Sequence, residues 1–332
     1  MQKTQIAARS LRAAGLTVLT SALILTTASV AGASNPTPAA ANAIAGLRLY
    51  VNPSSPAGKQ ADAWSKSRPA DAARMRYIAD QPTANWFGDW NTNVRADVDA
   101  VVSNAASSNS LPVLVAYDIP NRDCGSYSAG GAGDAAKYAS WIGSFAAGIH
   151  GRRAVVVLEP DAIAGSDCLS AGARTARFEM IRNAVTTLKS AGAFVYLDAG
   201  NAHWVAAQTM ATRLQQSGID LADGFSLNVS NYFSTNDNVT FGNSLSKLIG
   251  NKHYIIDTSR NGVASTNGQW CNPNGQSLGV KPTTQTGHEL VDAFLWIKTP
   301  GESDGTCNGG PKAGQWWADY ALGLAQRTSI GN

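Results

Sequence analysis

Short apolar segments alternate with longer stretches of helical periodicity along most of this chain, and this alternation restricts the fold more than any other feature. The clearest segment is Val155–Leu158, whose unbroken apolar run is typical of a strand buried on both faces. Strands that alternate with helices indicate βαβ units and a parallel sheet. The predicted strands are Leu111–Ala116, Ala154–Leu158, Ala193–Leu197, Gly224–Leu227, His253–Ile256 and Ala293–Ile297.

Two weaker strand candidates, Leu47–Val51 and Ala84–Phe87, bring the number of strands to seven or eight. That number predicts a single α/β domain folded as a distorted parallel (β/α) barrel, similar to a TIM barrel. An open doubly wound sheet is the alternative, although no glycine-rich phosphate-binding motif opens a helix. The predicted helices are Asp71–Asp80, Thr92–Asn109, Ala135–Ile149, Ala171–Ser190, Ala202–Ser217, Val239–Ile249 and Gln315–Ala325.

The first residues have the pattern of a targeting segment. Lys3, Arg9 and Arg12 precede an apolar run, and a small-residue Ala-x-Ala site follows at residues 31–33. This pattern predicts a secretory signal peptide over residues 1–33 and a secreted, extracellular protein. A retained membrane anchor is the alternative, but Thr and Ser interrupt the run. Residues 34–45 are predicted to be a flexible N-terminal segment, and residues 46–332 the folded domain.

The charge balance narrows the choice of partner. The chain has 26 Lys and Arg residues and 23 Asp and Glu residues, and loss of residues 1–33 removes three basic residues and no acidic one. The mature chain therefore carries equal numbers of positive and negative charges. This balance argues against nucleic acid or an anionic membrane as a partner and favours a neutral polymer.

Four cysteines are present in the chain: Cys124, Cys168, Cys271 and Cys307. In a secreted protein they predict two disulfides, and the residues by themselves leave all three pairings open. A zinc site is the alternative, but no Cys-x-x-Cys spacing supports it.

Almost every predicted strand ends in a polar or acidic residue, such as Glu159 and Asp161 after Val155–Leu158. In a parallel barrel these residues share one rim, where reactive groups collect. Four tryptophans are predicted at the same rim: Trp86, Trp90, Trp204 and Trp270. Indole faces stack on sugars, and carboxylates beside them hydrolyse glycosidic bonds. A magnesium site made of carboxylates, in a metal-dependent hydrolase, is the alternative.

Two segments at this rim resemble the signature motifs of the glycoside hydrolase family 6 cellulases. They are Tyr117–Cys124, with the sequence YDIPNRDC, and Val157–Ala162, with the sequence VLEPDA. Leu197–Gly200, Asn228–Tyr232 and Trp296–Gly305 are also similar to family motifs and follow in the family's order. The resemblance covers the chain from Leu47 to Tyr320.

This resemblance implies a distorted (β/α) barrel and hydrolysis of β-1,4-glucan with inversion. We expect a monomer that needs no metal or cofactor. It makes Asp161 the general acid and Asp123 the partner that keeps Asp161 protonated and helps to place water. It makes Asp304 a proposed base and Tyr117 the residue that crowds the distorted sugar ring. The implied substrate-binding residues are Trp86, Ser128, Asp198, Trp204, Asn231, Trp270, Lys298 and Glu302. The implied disulfides are Cys124–Cys168 and Cys271–Cys307.

Elementary acid–base chemistry agrees with these roles. A carboxyl that donates a proton near neutral pH needs a raised pKa, which burial and a neighbouring carboxylate supply. Inversion needs space for a water, which corresponds to a carboxyl separation of roughly 6.5–9.5 Å.

Two further features bear on the function. Asn201 stands where the family often has His, and His203 follows two residues later, so a hydrogen bond to the cleaved sugar is expected to weaken or to move to His203. Cys307 comes soon after Asp304, which leaves little chain for a lid and favours an open cleft with internal cleavage. The alternatives are an exo-acting cellobiohydrolase of the same family and a non-catalytic glucan-binding protein on the same barrel.

Overall fold

The computed structural model describes residues 41–265 and 268–329. Seven strands form one sheet in which every strand pairs in parallel with the next along the chain. The strands are β1 (Asn85–Phe87), β2 (Val113–Ala116), β3 (Ala154–Leu158), β4 (Ala193–Asp198), β5 (Gly224–Leu227), β6 (His253–Asp257) and β7 (Val291–Leu295).

Helices connect the strands and cover the outer face of the sheet. In the described part of the chain they are α1 (Pro56–Trp64), α2 (Pro69–Ala79), α3 (Val94–Ser107), α4 (Ala135–Ile149), α5 (Ala171–Ser190), α6 (Ala207–Gln216), α7 (Thr235–Leu248) and α8 (Ala318–Gln326). Two short 3₁₀ turns, Asp123–Gly125 and Ser166–Cys168, lie in the loops after β2 and β3.

The sequential strand order confirms the predicted distorted barrel, because a doubly wound sheet reverses its strand order at a switch point. The sheet curls until its first and last strands approach each other. Within the described residues, Thr83 just before β1 and Trp296 just after β7 form an isolated parallel bridge, in which the N–H of Ala84 donates to the carbonyl of Trp296 at 3.0 Å. The barrel is therefore irregular at this seam.

The sheet carries a core layer on each face because alternate residues of each strand face opposite sides, and a third cluster packs α1, α2 and α8 together. In β3, Val155 and Val157 pack inside the barrel, whereas Val156 and Leu158 pack against the helices. All of β3 is buried, as its apolar run predicted. The carboxyl ends of the strands consequently stand on a rigid support.

Several predicted boundaries differ from the structure. Leu47–Val51 is not a strand and makes one isolated bridge, from Leu49 to Leu111. Strand β7 begins and ends two residues before the predicted Ala293–Ile297. Helix α6 begins at Ala207 rather than Ala202, because residues 202–206 form the turn that carries Trp204. Helix α1 is polar and has no clear apolar periodicity in the sequence, although Ser55 caps it and Pro56 is its first residue.

The predicted signal peptide, residues 1–33, and residues 34–40 of the predicted flexible segment lie outside the described residues. The end of that segment is packed against the barrel: Ile44 is fully buried in the inner core layer, and the side chain of Asn42 donates to the carbonyl of Asp292 at 2.9 Å. No helix in the described residues is both long enough and apolar enough to cross a bilayer.

Candidate active site

A cavity of about 950 Å³ opens at the carboxyl ends of the strands. Four aspartates, Asp123, Asp161, Asp237 and Asp304, lie in its lining. Asp123, Asp161 and Asp304 come from the loop after β2, the loop after β3 and the segment after β7, and Asp237 lies in the first turn of α7. Within residues 41–265 and 268–329, no three His, Cys, Asp or Glu side chains are grouped so that they could hold a metal ion.

Asp161 reaches the cavity because the chain turns sharply at the end of β3. Glu159 and Asp161 both have left-handed backbone angles, with φ of 52° and 68°. Glu159 is fully buried and faces the neighbouring loop, whereas Asp161 is half-buried and lines the cavity. Burial, followed by the nearby carboxylates of Asp198 and Asp123, raises the pKa of Asp161 well above its usual range.

Asp198, the last residue of β4, lies directly beneath Asp161. Its Oδ1 accepts hydrogen bonds from the backbone N–H groups of Asp161 at 3.0 Å and Gly200 at 3.1 Å. Its Oδ2 accepts one from the hydroxyl of Ser226 at 3.2 Å. The side chain is completely buried, and this burial raises its pKa to about 7.

Asp123 is held by a braced loop after β2. Its Oδ2 accepts the N–H of Ser128 at 2.8 Å, and burial raises its pKa. The buried Arg122 donates to the carbonyl of Ser128 and to that of Tyr117, each at 2.8 Å. The disulfide Cys124–Cys168 ties the same loop to the one that follows β3.

Tyr117 forms part of the cavity wall together with Trp86. The two rings meet edge to face with centroids 5.3 Å apart, and both line the cavity. The guanidinium of Arg122 lies over the Tyr117 ring, 4.7 Å from its centre. Lys298 reaches the same part of the cavity, with its Nζ 5.7 Å from the centre of the Trp86 ring.

Asp304 is fixed through one of its carboxylate oxygens. Its Oδ2 accepts hydrogen bonds from Arg260 Nη1 at 2.9 Å, from the hydroxyl of Tyr232 at 3.0 Å and from the N–H of Asn272 at 3.0 Å. Arg260 is fully buried, so this ion pair is shielded from water. The disulfide Cys271–Cys307 joins the segment that carries Asn272 to the segment that carries Asp304.

Comparison of the whole chain with known proteins identifies its family. The family model described as "Glycosyl hydrolases family 6" matches residues 44–328. The chain belongs to glycosyl hydrolase family 6.

Relatives of this family 6 chain include bacterial endoglucanases. It is 43% identical to Endoglucanase A of Cellulomonas fimi over 84% of this chain, and it spans 61% of the length of that protein. It is 42% identical to Endoglucanase 1 of Streptomyces halstedii over 82% of this chain and 87% of that protein. It resembles the structure of an endoglucanase from Mycobacterium tuberculosis in complex with methyl-cellobiosyl-4-deoxy-4-thio-β-D-cellobioside, with a TM-score of 0.82 and 41% identity, covering 86% of this chain and 99% of that one.

The family 6 cavity brings together most of the residues named from the sequence. Those that line it are Tyr117, Asp123, Asp161, Asp304, Trp86, Ser128, Trp204, Asn231, Trp270 and Lys298. The two predicted disulfides, Cys124–Cys168 and Cys271–Cys307, are both present.

Two of the named residues do not line the cavity. Asp198 is buried beneath it, and its carboxylate is occupied by backbone and hydroxyl donors, so direct contact with a sugar does not fit its position. Glu302 lies beside Lys298, with its Oε2 4.0 Å from Lys298 Nζ. Burial raises the pKa of Glu302, and the Lys298 ammonium opposes that shift.

Asn201 and His203 occupy different places in the cavity lining. Asn201 is almost fully buried, and its Oδ1 accepts the N–H of His203 at 3.0 Å. The His203 ring packs on Phe233, with centroids 4.4 Å apart, and its Nε2 lies 3.5 Å from Oδ2 of Asp237. A hydrogen bond from His203 would therefore reach a sugar from a different position than a hydrogen bond from Asn201.

Sequence reasoning missed the basic residues that hold the carboxylates. Arg122 and Arg260 were not named as site residues, yet one braces the loop of Asp123 and the other pairs with Asp304. The available signal was position: Arg260 follows β6 by three residues, on the rim where the acids collect. Asp257, at the end of β6, similarly accepts the N–H groups of Ser230 at 3.1 Å and Lys298 at 2.9 Å.

Proposed function

We propose that this chain hydrolyses internal β-1,4-glucosidic bonds of cellulose and related β-glucans with inversion of the anomeric configuration. The observation that carries the proposal is the convergence of Asp123, Asp161 and Asp304 in one cavity lined with tryptophans. Family membership and the relatives named endoglucanases support it.

Asp161 is assigned as the general acid. Its raised pKa keeps the carboxyl protonated near neutral pH, so that it can donate to the oxygen of the leaving sugar. Asp198 fixes the backbone of Asp161 from below, and its carboxylate adds to the raised pKa. Donation of the proton turns the leaving alkoxide into a neutral hydroxyl as the bond to the anomeric carbon breaks.

The attacking water enters from the opposite face of the sugar ring and must lose a proton as it attacks. We assign Asp304 as the base that takes this proton. Its Oδ2 is held by three donors, which keeps the carboxylate in one orientation. Asp123 is the second candidate, acting through an intervening water.

Substrate binding is assigned to the indole faces and to the polar groups between them. Trp204 and Trp270 are each nearly half exposed, which leaves their faces free to stack on a sugar. At the other end, Trp86 donates from its Nε1 to the carbonyl of Ile297 at 2.8 Å, which holds the ring in place beside Tyr117. Tyr117 is assigned to crowd the sugar ring and to favour its distortion.

The cellular setting and domain plan are part of the same proposal. Residues 1–33 are assigned as a secretory signal peptide and residues 46–332 as the catalytic domain of a monomer that acts outside the cell. The two disulfides support an oxidising compartment. The partner is a β-1,4-glucan, with no role assigned to nucleic acid, to a membrane or to a cofactor.

The experiment is an assay on carboxymethylcellulose with and without EDTA. We expect viscosity to fall steeply while few reducing ends appear, with EDTA making no difference. NMR of the first product, before mutarotation, should show the α-anomer. Slow viscosity loss with early release of cellobiose would indicate exo action, binding without cleavage would indicate a glucan-binding protein, and loss of activity in EDTA would indicate a metal-dependent enzyme. A β-anomer appearing first would contradict inversion.

A further inference from the structure

A buried arginine that the assigned chemistry does not use contacts both of the loops that carry the assigned acid and its partner. Arg177 belongs to α5 and is only 2% exposed. Its Nη2 donates to the carbonyls of Pro120 at 2.7 Å and Asn121 at 2.9 Å, in the loop after β2. Its Nη1 donates to the carbonyl of Ala162 at 3.4 Å, in the loop after β3. One guanidinium therefore joins the backbones of the two loops.

Glu159 holds the same stretch of the loop after β2. The two oxygens of its fully buried carboxyl accept the N–H of Asp118 at 3.0 and 3.1 Å, and one of them also accepts the N–H of Ile119 at 3.1 Å. Glu159 and Arg177 thus bind main-chain groups of four consecutive residues shortly before Asp123. Burial lowers the pKa of Arg177, and the nearby carboxylate of Glu159 opposes that shift.

The backbone of this loop needs such support because its conformation is unfavourable by itself. Asn121 and Asp123 both have left-handed backbone angles, with φ of 55° and 53°. Residues other than glycine keep that conformation only where the surrounding structure holds it. Main-chain carbonyls that are partly shielded from water need a donor as well. Arg177 supplies the donors, because its planar guanidinium can donate to several carbonyls at once.

The disulfide Cys124–Cys168 joins the same two loops, and both of its cysteines are exposed. Cys168 lies further along the chain from Asp161 than Ala162 does. The disulfide therefore limits how far the loops can separate without fixing the backbone next to Asp161. Arg177 acts in the interior, on the residue that directly follows Asp161.

We propose that Arg177 is a positioning residue for the reaction and sets the separation between the carboxyls of Asp123 and Asp161. The proposal rests on the proposed glucanase function. The guanidinium draws three carbonyls to one centre, so the two loops can move apart when it is lost. After burial and Asp198, the carboxylate of Asp123 raises the pKa of Asp161, and this effect weakens as the distance between them grows. The other charged groups that act on Asp161 are Asp304 and Lys298.

The test compares Arg177→Lys with Arg213→Lys, a matched control on the neighbouring helix α6. Arg213 is also nearly buried, and its Nη1 donates to the carbonyls of Ile163 at 3.3 Å and Ala164 at 2.9 Å. Both carbonyls belong to the loop after β3, so Arg213 supports one of the two loops without joining them. A lysine ammonium is a compact point charge and cannot replace the bridge that the Arg177 guanidinium makes.

We expect kcat on carboxymethylcellulose to fall by about 10- to 100-fold in Arg177→Lys, because a small misplacement of catalytic groups has effects of that size. KM should stay at the wild-type value, since the tryptophans that bind the sugar come from other segments. The pKa of Asp161 should fall as Asp123 moves away. Because the acid works only when protonated, the alkaline limb of kcat/KM should shift to lower pH in Arg177→Lys and should stay in place in Arg213→Lys.

Folding and binding are measured separately from catalysis. Urea unfolding reports the stability of each variant, and titration with methyl-cellobiosyl-4-deoxy-4-thio-β-D-cellobioside, followed by tryptophan fluorescence, should give the wild-type Kd in all of them. If Arg177→Lys does not fold, Arg177→Gln repeats the comparison, because its amide still donates to a carbonyl.

Three outcomes would count against these assignments. An alkaline limb at the wild-type pH in the folded, active Arg177 variant would overturn the positioning role. An equal shift in Arg213→Lys would also overturn it, because any loosening of the loop after β3 would then have the same effect. A wild-type protein that neither binds the thio-oligosaccharide nor cleaves glucan would instead overturn the glucanase function on which the positioning role rests.

Discussion

The backbone N–H of Asp161 donates a 3.0 Å hydrogen bond to Oδ1 of Asp198, so a completely buried carboxylate holds the residue assigned as the general acid. The relationship has two effects on Asp161. The hydrogen bond stabilises its left-handed backbone conformation, with φ of 68°. The negative charge of Asp198 disfavours ionisation of the Asp161 side chain and raises its pKa.

Asp161→Asn should affect substrates according to their leaving groups. A sugar hydroxyl leaves poorly without a proton, so hydrolysis of cellulose chains should fall by the roughly 10²–10⁴-fold typical of a lost general acid. A dinitrophenolate leaves well without a proton, so dinitrophenyl cellobioside should be largely spared. The measurement is kcat/KM for both substrates, with oligosaccharide binding as the control for folding. Equal losses on both substrates would show that Asp161 is not the acid.

Asp304→Asn should lower kcat/KM on both types of substrate, because the base activates the attacking water in the single displacement step whatever the leaving group is. Both Asn and Ala remove the counter-ion of the buried Arg260, a change that costs roughly 3–5 kcal/mol of stability, but Asn is preferable because its amide oxygen can still accept hydrogen bonds from Arg260 and Tyr232. Asp123→Asn is the comparison. If Asp123→Asn abolishes turnover of both substrates while Asp304→Asn retains it, Asp123 acting through water is the base.

Asp198→Asn should move the pH dependence without removing the hydrogen bonds. The amide oxygen can still accept from the N–H groups of Asp161 and Gly200, but the negative charge is gone. The pKa of Asp161 should therefore fall, and because the acid works only when protonated, the alkaline limb of kcat/KM should shift to lower pH. The apparent pKa belongs to the coupled carboxyls together. An alkaline limb at the same pH in wild type and Asp198→Asn would contradict this account.

Glu159 should make the protein less stable as the pH rises. Burial raises its pKa from 4.5 to about 8, although its carboxylate accepts the N–H groups of Asp118 and Ile119. Between these values the folded protein keeps a proton that the unfolded chain has released, so the free energy of unfolding falls as the pH rises from about 4.5 to about 8.

Glu159→Gln imitates the protonated acid and should flatten this part of the curve. Urea unfolding at pH 5 and at pH 8 makes the comparison, and the exposed Glu179→Gln serves as the control that keeps the wild-type slope. A wild-type slope in Glu159→Gln would assign the pH dependence to another group.

Loss of either disulfide should destabilise the fold. The two bonds close loops of 44 and 36 residues, for which chain entropy predicts roughly 3–4 kcal/mol each. The double variants Cys124→Ser with Cys168→Ser, and Cys271→Ser with Cys307→Ser, should therefore unfold at lower urea concentration than wild type. Mapping of unreduced peptides checks the pairing itself. A peptide that links Cys168 to Cys271 would contradict it.

Local pattern determined a large part of the fold. Strand β3, strand β5 and helices α4 and α5 have the predicted bounds, because apolar runs and helical periodicity depend on neighbouring residues. The rim position of Asp161 and Asp304 followed in the same way, since the carboxyl ends of parallel strands lie on one side. The prediction of a strand at Leu47–Val51 was wrong, because a short apolar run does not reveal whether a partner strand lies alongside it.

Tertiary structure decided which of the polar residues face the cavity and which support them. Asp198 and Asp161 both come at the ends of apolar strands and look alike in the sequence. Asp198 is nevertheless buried beneath Asp161, where it accepts hydrogen bonds from β5 and from the loops after β3 and β4. Arg260 donates to Asp304, which follows it by 44 residues, and the ring of Tyr127 contacts the ring of Trp270. Burial and long-range pairing depend on how the whole sheet curls, so they cannot be predicted from any short segment of the sequence.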